Sequence, residues 1–276
     1  MRIGSGAGRQ LWLAVAGTLA SGPAVAQDPT PVFAQDDPAR IWVEDGAIHF
    51  FGSISIASQD AFLEFLATED TSGAGTFVVN SLGGDTNSAR VIGRWINEED
   101  LDIVVDAICF SSCANYIFPA GSGKTIRAAS FVGWHGSETQ YDVIALSTPG
   151  QSGEDLEREA LKAALVPALP EGASGEVIEQ AIDQQVAFAE ISRQDEADFF
   201  DTLGISGEFT LHGMRPGNIG AWRQSGHTGW TYSLADMQRL GLGSVAFLGD
   251  GDYTASTQVT RNVFVVPYDP SLVPRD

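Results

Sequence analysis

The sequence predicts an α/β protein: a core of parallel strands alternating with helices, into which a helical arm is inserted. Two observations carry that expectation. The apolar runs Thr76–Asn80 and Asp102–Ile108 each lead through a tight turn into a helical pattern, and strands that alternate with helices build parallel sheets covered on both faces. From Gly136 to about Glu208 the composition then shifts to acidic, Ala- and Gln-rich stretches of helical period, which marks residues 137–208 as the insertion.

Taken in chain order, residues 1–26 have the make-up of a signal peptide. Arg2 and Arg9 give a positive start, Leu11 to Ala20 is a short apolar run, and Ala24-Val25-Ala26 is a small-x-small cleavage site. That run falls short of the roughly 20 apolar residues a helical membrane span requires, and no later segment is long and apolar enough either. Cleavage near Ala26 would place the product in the periplasm or outside the cell. A polar, Pro-rich lead-in, 27–38, precedes a domain expected over 39–276.

Within that domain, Ile41 to Ile56 alternates apolar and polar residues around Glu44-Asp45-Gly46, the pattern of a β-hairpin with an Asp-Gly turn. Ser58 and Gln59 open a helix with Phe62, Phe65 and Leu66 on one face. The strand Thr76–Asn80 ends in Ser81-Leu82-Gly83-Gly84-Asp85, followed by a helix from Asn87 to about Asn97 with Ala89, Ile92, Trp95 and Ile96 inward. A second unit repeats this order: strand Asp102–Ile108, turn Cys109–Ser112, helix Cys113 to about Ala120, strand Ser130–Trp134. In the insertion two helices are expected, about Gly153–Leu165 and Gly175–Leu203, separated by Pro167, Pro170 and Gly172. Beyond it, Tyr232-Ser233 caps a helix through Leu240, and Ser244–Leu248 and Val263–Pro267 form strands.

The charge limits the partners. Removal of residues 1–26 takes away two arginines and no acid, leaving 13 basic against 36 acidic residues and moving the formal charge from −21 to −23. Such a surface repels phosphate backbones and anionic lipids, so nucleic acid is not an expected partner.

Two strand-to-helix turns hold the candidate chemistry, because in open parallel sheets such turns gather at the carboxyl ends of the strands, where ligands bind. Gly83-Gly84 lets the backbone approach a substrate and offer free N–H groups, as an oxyanion site requires, though paired glycines also make plain tight turns. In Cys109-Phe110-Ser111-Ser112-Cys113-Ala114 a serine stands at a helix N-terminus, where dipole and free amides favour negative charge. Either serine would equally serve as an ordinary N-cap. His135 ends the next strand and so emerges on the same sheet edge, where a general base would have to stand. Cys109 and Cys113 flank the serines; in an oxidising compartment they are a candidate disulfide, with two buried thiols as the alternative. No histidine lies at metal-ligand spacing from them, and no metal or cofactor is expected. Gly121-Ser122-Gly123-Lys124-Thr125 imitates a phosphate loop but ends a helix instead of opening one.

Several stretches resemble one family. Val78–Asp85 looks like the strand and Ser-Pro-Gly-Gly turn of ClpP, with Leu82 in place of the proline; Ser112–Gly121 is similar to that family's nucleophile helix; Phe131–Gly136 resembles the strand that delivers its histidine, and Tyr232–Leu242 its later helix ending in Gly-Leu. Coverage is roughly Ile48–Gly136 and Gly229–Val245, and the helical middle has no counterpart. The chain thus resembles the periplasmic ClpP-like serine proteases of the ClpP/crotonase superfamily, whose motif sets cysteines around the serine. The resemblance implies a ClpP/crotonase-like fold, Ser112 as nucleophile, His135 as base, the backbone amides of Gly83, Gly84 and Cys113 as oxyanion hole, and a peptide or protein as substrate. Ser111 is the runner-up nucleophile, since some relatives place their serine two before the second cysteine. No third acid carries over: the matching position falls near Ser225, leaving Asp195, Asp198 and Asp201 in the insertion as candidates, or a Ser–His dyad. A homo-oligomer is left open. Other readings are a ClpP-like binding protein without activity and an acyl-CoA enzyme, the latter opposed by export.

Overall fold

The computed structural model describes residues 38–170 and 172–269; the expected signal peptide and nearly all of the lead-in lie outside them. Its framework is a seven-stranded sheet. The hairpin strands β1 (Arg40–Glu44) and β2 (Ala47–Phe51) are antiparallel, and Asp45 and Gly46, both at positive φ, make the turn. Helix α1 (Ile56–Thr68) follows, capped by Ser55, and then β3 (Thr76–Ser81), α2 (Thr86–Glu98) and β4 (Asp102–Phe110). Beyond β4 the chain makes a π-helical turn, Cys113–Ile117, which runs into the short α3 (Phe118–Ala120). Next come β5 (Lys124–Ile126) and β6 (Phe131–Gly133).

The sheet order is β1-β2-β3-β4-β5-β8, where β8 is Val245–Phe247, and β6 pairs with β4 alongside β5. Every pairing after the hairpin is parallel, as the alternation of strands and helices predicted. On the side away from β3, β4 serves two partners because its first half pairs with β5 and its second half with β6, the switch falling at Ala107, whose φ is +76°. The carboxyl ends of β3, β4 and β6 therefore meet at one edge.

Phe50, Phe62, Phe77, Ile92, Ile96, Ile103 and Tyr116 are fully buried or nearly so between the sheet and α1, α2 and the π turn. The other face differs from the expectation of full cover. Trp42, Ala47, His49, Phe51, Val78, Val104, Asp106 and Arg127 line an open groove of about 500 Å³ there. Trp42 stacks on His49 at 4.6 Å, which gives that histidine an ordinary structural use.

The arm consists of α4 (Gln140–Ala145), α5 (Gly153–Leu165) and the 29-residue α6 (Gly175–Leu203); the last two match their expected bounds. A Ser152/Asp155 capping box starts α5, and Gly204 at φ +66° ends α6. The outer half of α6 is tied to α5 by Arg158 with Glu179 and Asp183, while its inner half buries Ser192, Glu196, Phe199 and Phe200 in the core. After the arm, α7 (Asn218–Gln224), β7 (Trp230–Thr231), α8 (Leu234–Met237, capped by Ser233), β8, α9 (Thr257–Asn262) and β9 (Phe264–Val265) complete the chain. β7 and β9 form a small parallel sheet joined to the main body by a Trp134–Trp230 bridge. Lys124 of the phosphate-loop imitation is buried in β5 with Nζ on the Gly121 carbonyl at 2.5 Å, so that segment is a strand start. His212 is wholly buried edge-on to Tyr232, and His227 bonds Ser225 and the Thr260 carbonyl; both belong to packed loops. Among the described residues no helix is long and apolar enough to cross a membrane, and no group of His, Cys, Asp and Glu could hold a metal ion.

Candidate active site

The turn after β4 sets the site. Ser111 takes φ +59°, a left-handed conformation uncommon for a residue with a side chain and a feature of strained functional turns. Its N–H donates to the Gly133 carbonyl of β6 at 3.0 Å, and its own carbonyl accepts from the Asn115 N–H at 2.9 Å. In that geometry Ser111 Oγ lies 2.6 Å from His135 Nε2. The two residues come from the ends of adjacent strands, β4 and β6, as the sequence placed them.

The expected partner of His135 was Ser112, and here the structure corrects the sequence reading. Ser112 already has helical φ and ψ (−60°, −25°), is 1 % exposed, and its buried Oγ has no hydrogen-bond partner among the described residues. The sign of φ at one residue thus puts Ser111 at the surface and Ser112 in the interior.

The His135 ring stacks on Phe110, centroids 5.3 Å apart and planes within 12°. Although His135 keeps an edge open to solvent, the protein packed around its ring lowers its pKa from the ordinary 6.5, opposed by its own main-chain carbonyl. The neutral imidazole a base requires is therefore the dominant form at neutral pH. None of the three candidate acids touches it. Asp195 pairs with Arg90 at 2.5 Å and Arg94 at 2.6 Å, Asp198 is exposed and accepts from Gln194, and Asp201 is exposed. Among the described residues no carboxylate hydrogen-bonds His135, so the geometry is that of a dyad.

The Gly83-Gly84 turn lies against Ser111. A Cβ on Gly83 (φ +88°) would come within 2.5 Å of the Phe110 carbonyl, 2.8 Å of Ser111 Cβ and 2.8 Å of the Ser112 nitrogen, so only glycine fits. The Gly83 N–H is taken up by Ser81 Oγ at 3.0 Å, which removes it from the expected amide set. The Gly84 N–H differs. The parallel bridge with Ile54 uses the Gly83 carbonyl and the Asp85 N–H, and Gly84's own N–H has no acceptor among the described residues. The N–H groups of Ser112 and Cys113 likewise have none, as expected for the first turn of a helix.

Cys109 and Cys113 form a disulfide with Cα atoms 5.2 Å apart, closing a ring around Ser111. Both are fully buried. Replacing the pair by alanine is expected to lower stability by about 2 kcal/mol, the scale for so short a loop, measured by urea denaturation; an unchanged midpoint would show that the bridge adds nothing to the turn.

Sequence reasoning missed the polar cluster behind the site. Arg90 of α2 is fully buried and meets Asp195, Glu138, Ser192 and Asn87. Tyr116 Oη donates to Glu196 at 2.7 Å, and the Asn115 side chain donates to the Gly136 carbonyl at 2.9 Å. The one available signal was polar residues on apolar faces: Arg90 beside Ala89 in α2, and Asn115 in the run Ala114–Ile117.

No family model and no curated protein matches the chain. Similar solved structures include a methylmalonyl-CoA decarboxylase, at 11% identity over 64% of this chain and 93% of that one, with a TM-score of 0.31. An enoyl-CoA hydratase from Mycobacterium avium subsp. paratuberculosis matches at 11% identity over 63% and 92%, TM-score 0.31. A mutant of the 1510-N membrane-bound stomatin-specific protease matches at 12% identity over 50% and 69%, TM-score 0.28. Likeness of this degree says nothing about activity.

Proposed function

We propose that this chain is an exported ClpP-like serine hydrolase, most plainly a peptidase, with Ser111 as nucleophile and His135 as base. The observation that carries the proposal is the 2.6 Å contact between Ser111 Oγ and His135 Nε2 at the edge where the free Gly84 and Ser112 amides lie. Ser111 Oγ attacks a carbonyl carbon while His135 Nε2 takes its proton. Negative charge gathers on the carbonyl oxygen and is held by main-chain N–H groups; Ser112, next after the nucleophile, supplies one, and Gly84 the other. Protonated His135 then gives its proton to the leaving amine, and water repeats the cycle on the acyl-enzyme. Export belongs to the same proposal: the buried disulfide supports an oxidising compartment.

The lack of an orienting carboxylate among the described residues favours one second reading, a binding protein that keeps the fold without turnover. Fluorophosphonate labelling as a function of pH separates the two. With His135 as base the labelling rate stays level through neutral pH and drops only on the acid side of 6.5, because the group must lose its proton to act and its pKa is depressed. His135→Gln removes that limb and most of the rate. Absence of labelling by the intact protein under conditions that modify a control hydrolase would favour the binding protein.

A further inference from the structure

A histidine base without an acid beside it still has to be held, since a misplacement of about 1 Å can cost about 10²-fold in rate. The segment after His135 is fixed at two points. The first is Asn115, only 3 % exposed. Its main-chain N–H donates to the Ser111 carbonyl at 2.9 Å and its Nδ2 donates to the Gly136 carbonyl at 2.9 Å, so one residue ties the nucleophile to the neighbour of the base. The second is Glu138, three residues after His135. Its carboxylate accepts from Thr86 Oγ1 at 2.6 Å, Ser192 Oγ at 2.8 Å and Arg90 at 3.4 Å. Thr86 opens α2 directly after Gly84 and Asp85, so this anchor fastens the base's loop to the amide cradle. On the near side, Trp134 and Trp230 exchange main-chain hydrogen bonds of 2.8 Å. His135 is thereby spanned on both sides by fixed chain.

We propose that Asn115 and Glu138 are positioning residues that orient His135 toward Ser111, in the part that an acid plays in a triad. The inference rests on the hydrolase reading above. It assigns a role in the reaction to two residues that touch neither substrate nor the reacting atoms, and through Ser192 it makes the docked arm part of the site.

The test is fluorophosphonate labelling of the full mature chain, resolved into probe affinity and inactivation rate over a pH series, with thermal unfolding of each variant alongside. Asn115→Ala and Glu138→Ala are expected to lower the inactivation rate by up to about 10²-fold with probe affinity unchanged. They should also move the acid limb toward 6.5, as the loosened ring leaves Phe110 and regains water. Glu138→Gln, which still accepts from Thr86 and Ser192, should recover most of the rate. A purely structural role would lower the melting point without moving the limb. Folded variants that label at the wild-type rate with the same limb overturn the proposal, and should Asn115→Ala not fold, the two Glu138 variants decide it alone. If the unaltered protein does not label at all, it is the hydrolase reading that fails.

Discussion

Ser111→Ala is expected to abolish covalent labelling by a fluorophosphonate, with a loss of about 10³-fold or more, whereas Ser112→Ala is expected still to label. The contrast follows from the turn. Ser111 is the serine whose Oγ meets an imidazole nitrogen, at 2.6 Å; Ser112 Oγ is sealed from solvent without a partner, so neither a base nor a substrate reaches it. Only the main-chain amide of Ser112 is called on, and alanine keeps it. Removing the Ser112 hydroxyl also removes a buried polar atom that has no hydrogen bond, which is favourable or neutral for stability. Mass spectrometry of the labelled peptide places the adduct. A modified Ser112, or labelling of Ser111→Ala at the wild-type rate, would overturn the assignment.

Glu196 gives the second large effect, on stability. It is 4 % exposed, and burial raises its pKa from 4.5 to about 7, assisted by the charge of Glu138 and opposed by the Tyr116 hydrogen bond and by Arg90. These groups come from α2, the π turn and the loop after β6. A carboxyl group with a raised pKa in the folded state favours its protonated form there. Its contribution is therefore complete below pH 4.5, declines as pH rises, and is lost above about 7, a total of about 3 kcal/mol. His135 and His212, with depressed values, act in the opposite sense below 6.5, and Asp195 in the opposite sense below 3.8. The clean measurement is thus the difference between wild type and Glu196→Gln in urea denaturation from pH 5 to 8. The variant is expected to be the more stable at pH 8 and to lose its advantage toward pH 5; parallel curves would refute the account.

The periodicity of the chain exposed the hairpin, β3, β4, α2 and the two long arm helices, because each buries a face long enough to leave a pattern. It did not expose β5 or β7. β5 opens with a lysine, a residue that reads as exposed but is buried with its amine on the Gly121 carbonyl and near the charge of Asp102, and β7 is two residues within a Gly- and Trp-rich loop stretch. The site was legible to the level of its turn: glycines, paired cysteines and a histidine at a strand end are local signals. Which of two adjacent serines is presented was not, since it depends on which of two identical residues takes the positive φ, and that leaves no mark in the sequence. Arg90 and Asn115 left only the faint mark of a polar residue on an apolar face, and Glu138 and Glu196 left none, for another reason. Each is an ordinary polar residue until tertiary structure brings it to partners elsewhere in the chain.

Those separations have a temporal side. Arg90 waits for Asp195, 105 residues downstream; Tyr116 waits for Glu196, 80 downstream, and Glu138 for Ser192, 54 downstream. Contacts so distant along the chain close late in folding. Until the far end of α6 settles, Arg90, Tyr116 and Glu138 therefore lack these partners, and the polar cluster behind Ser111 and His135 is incomplete.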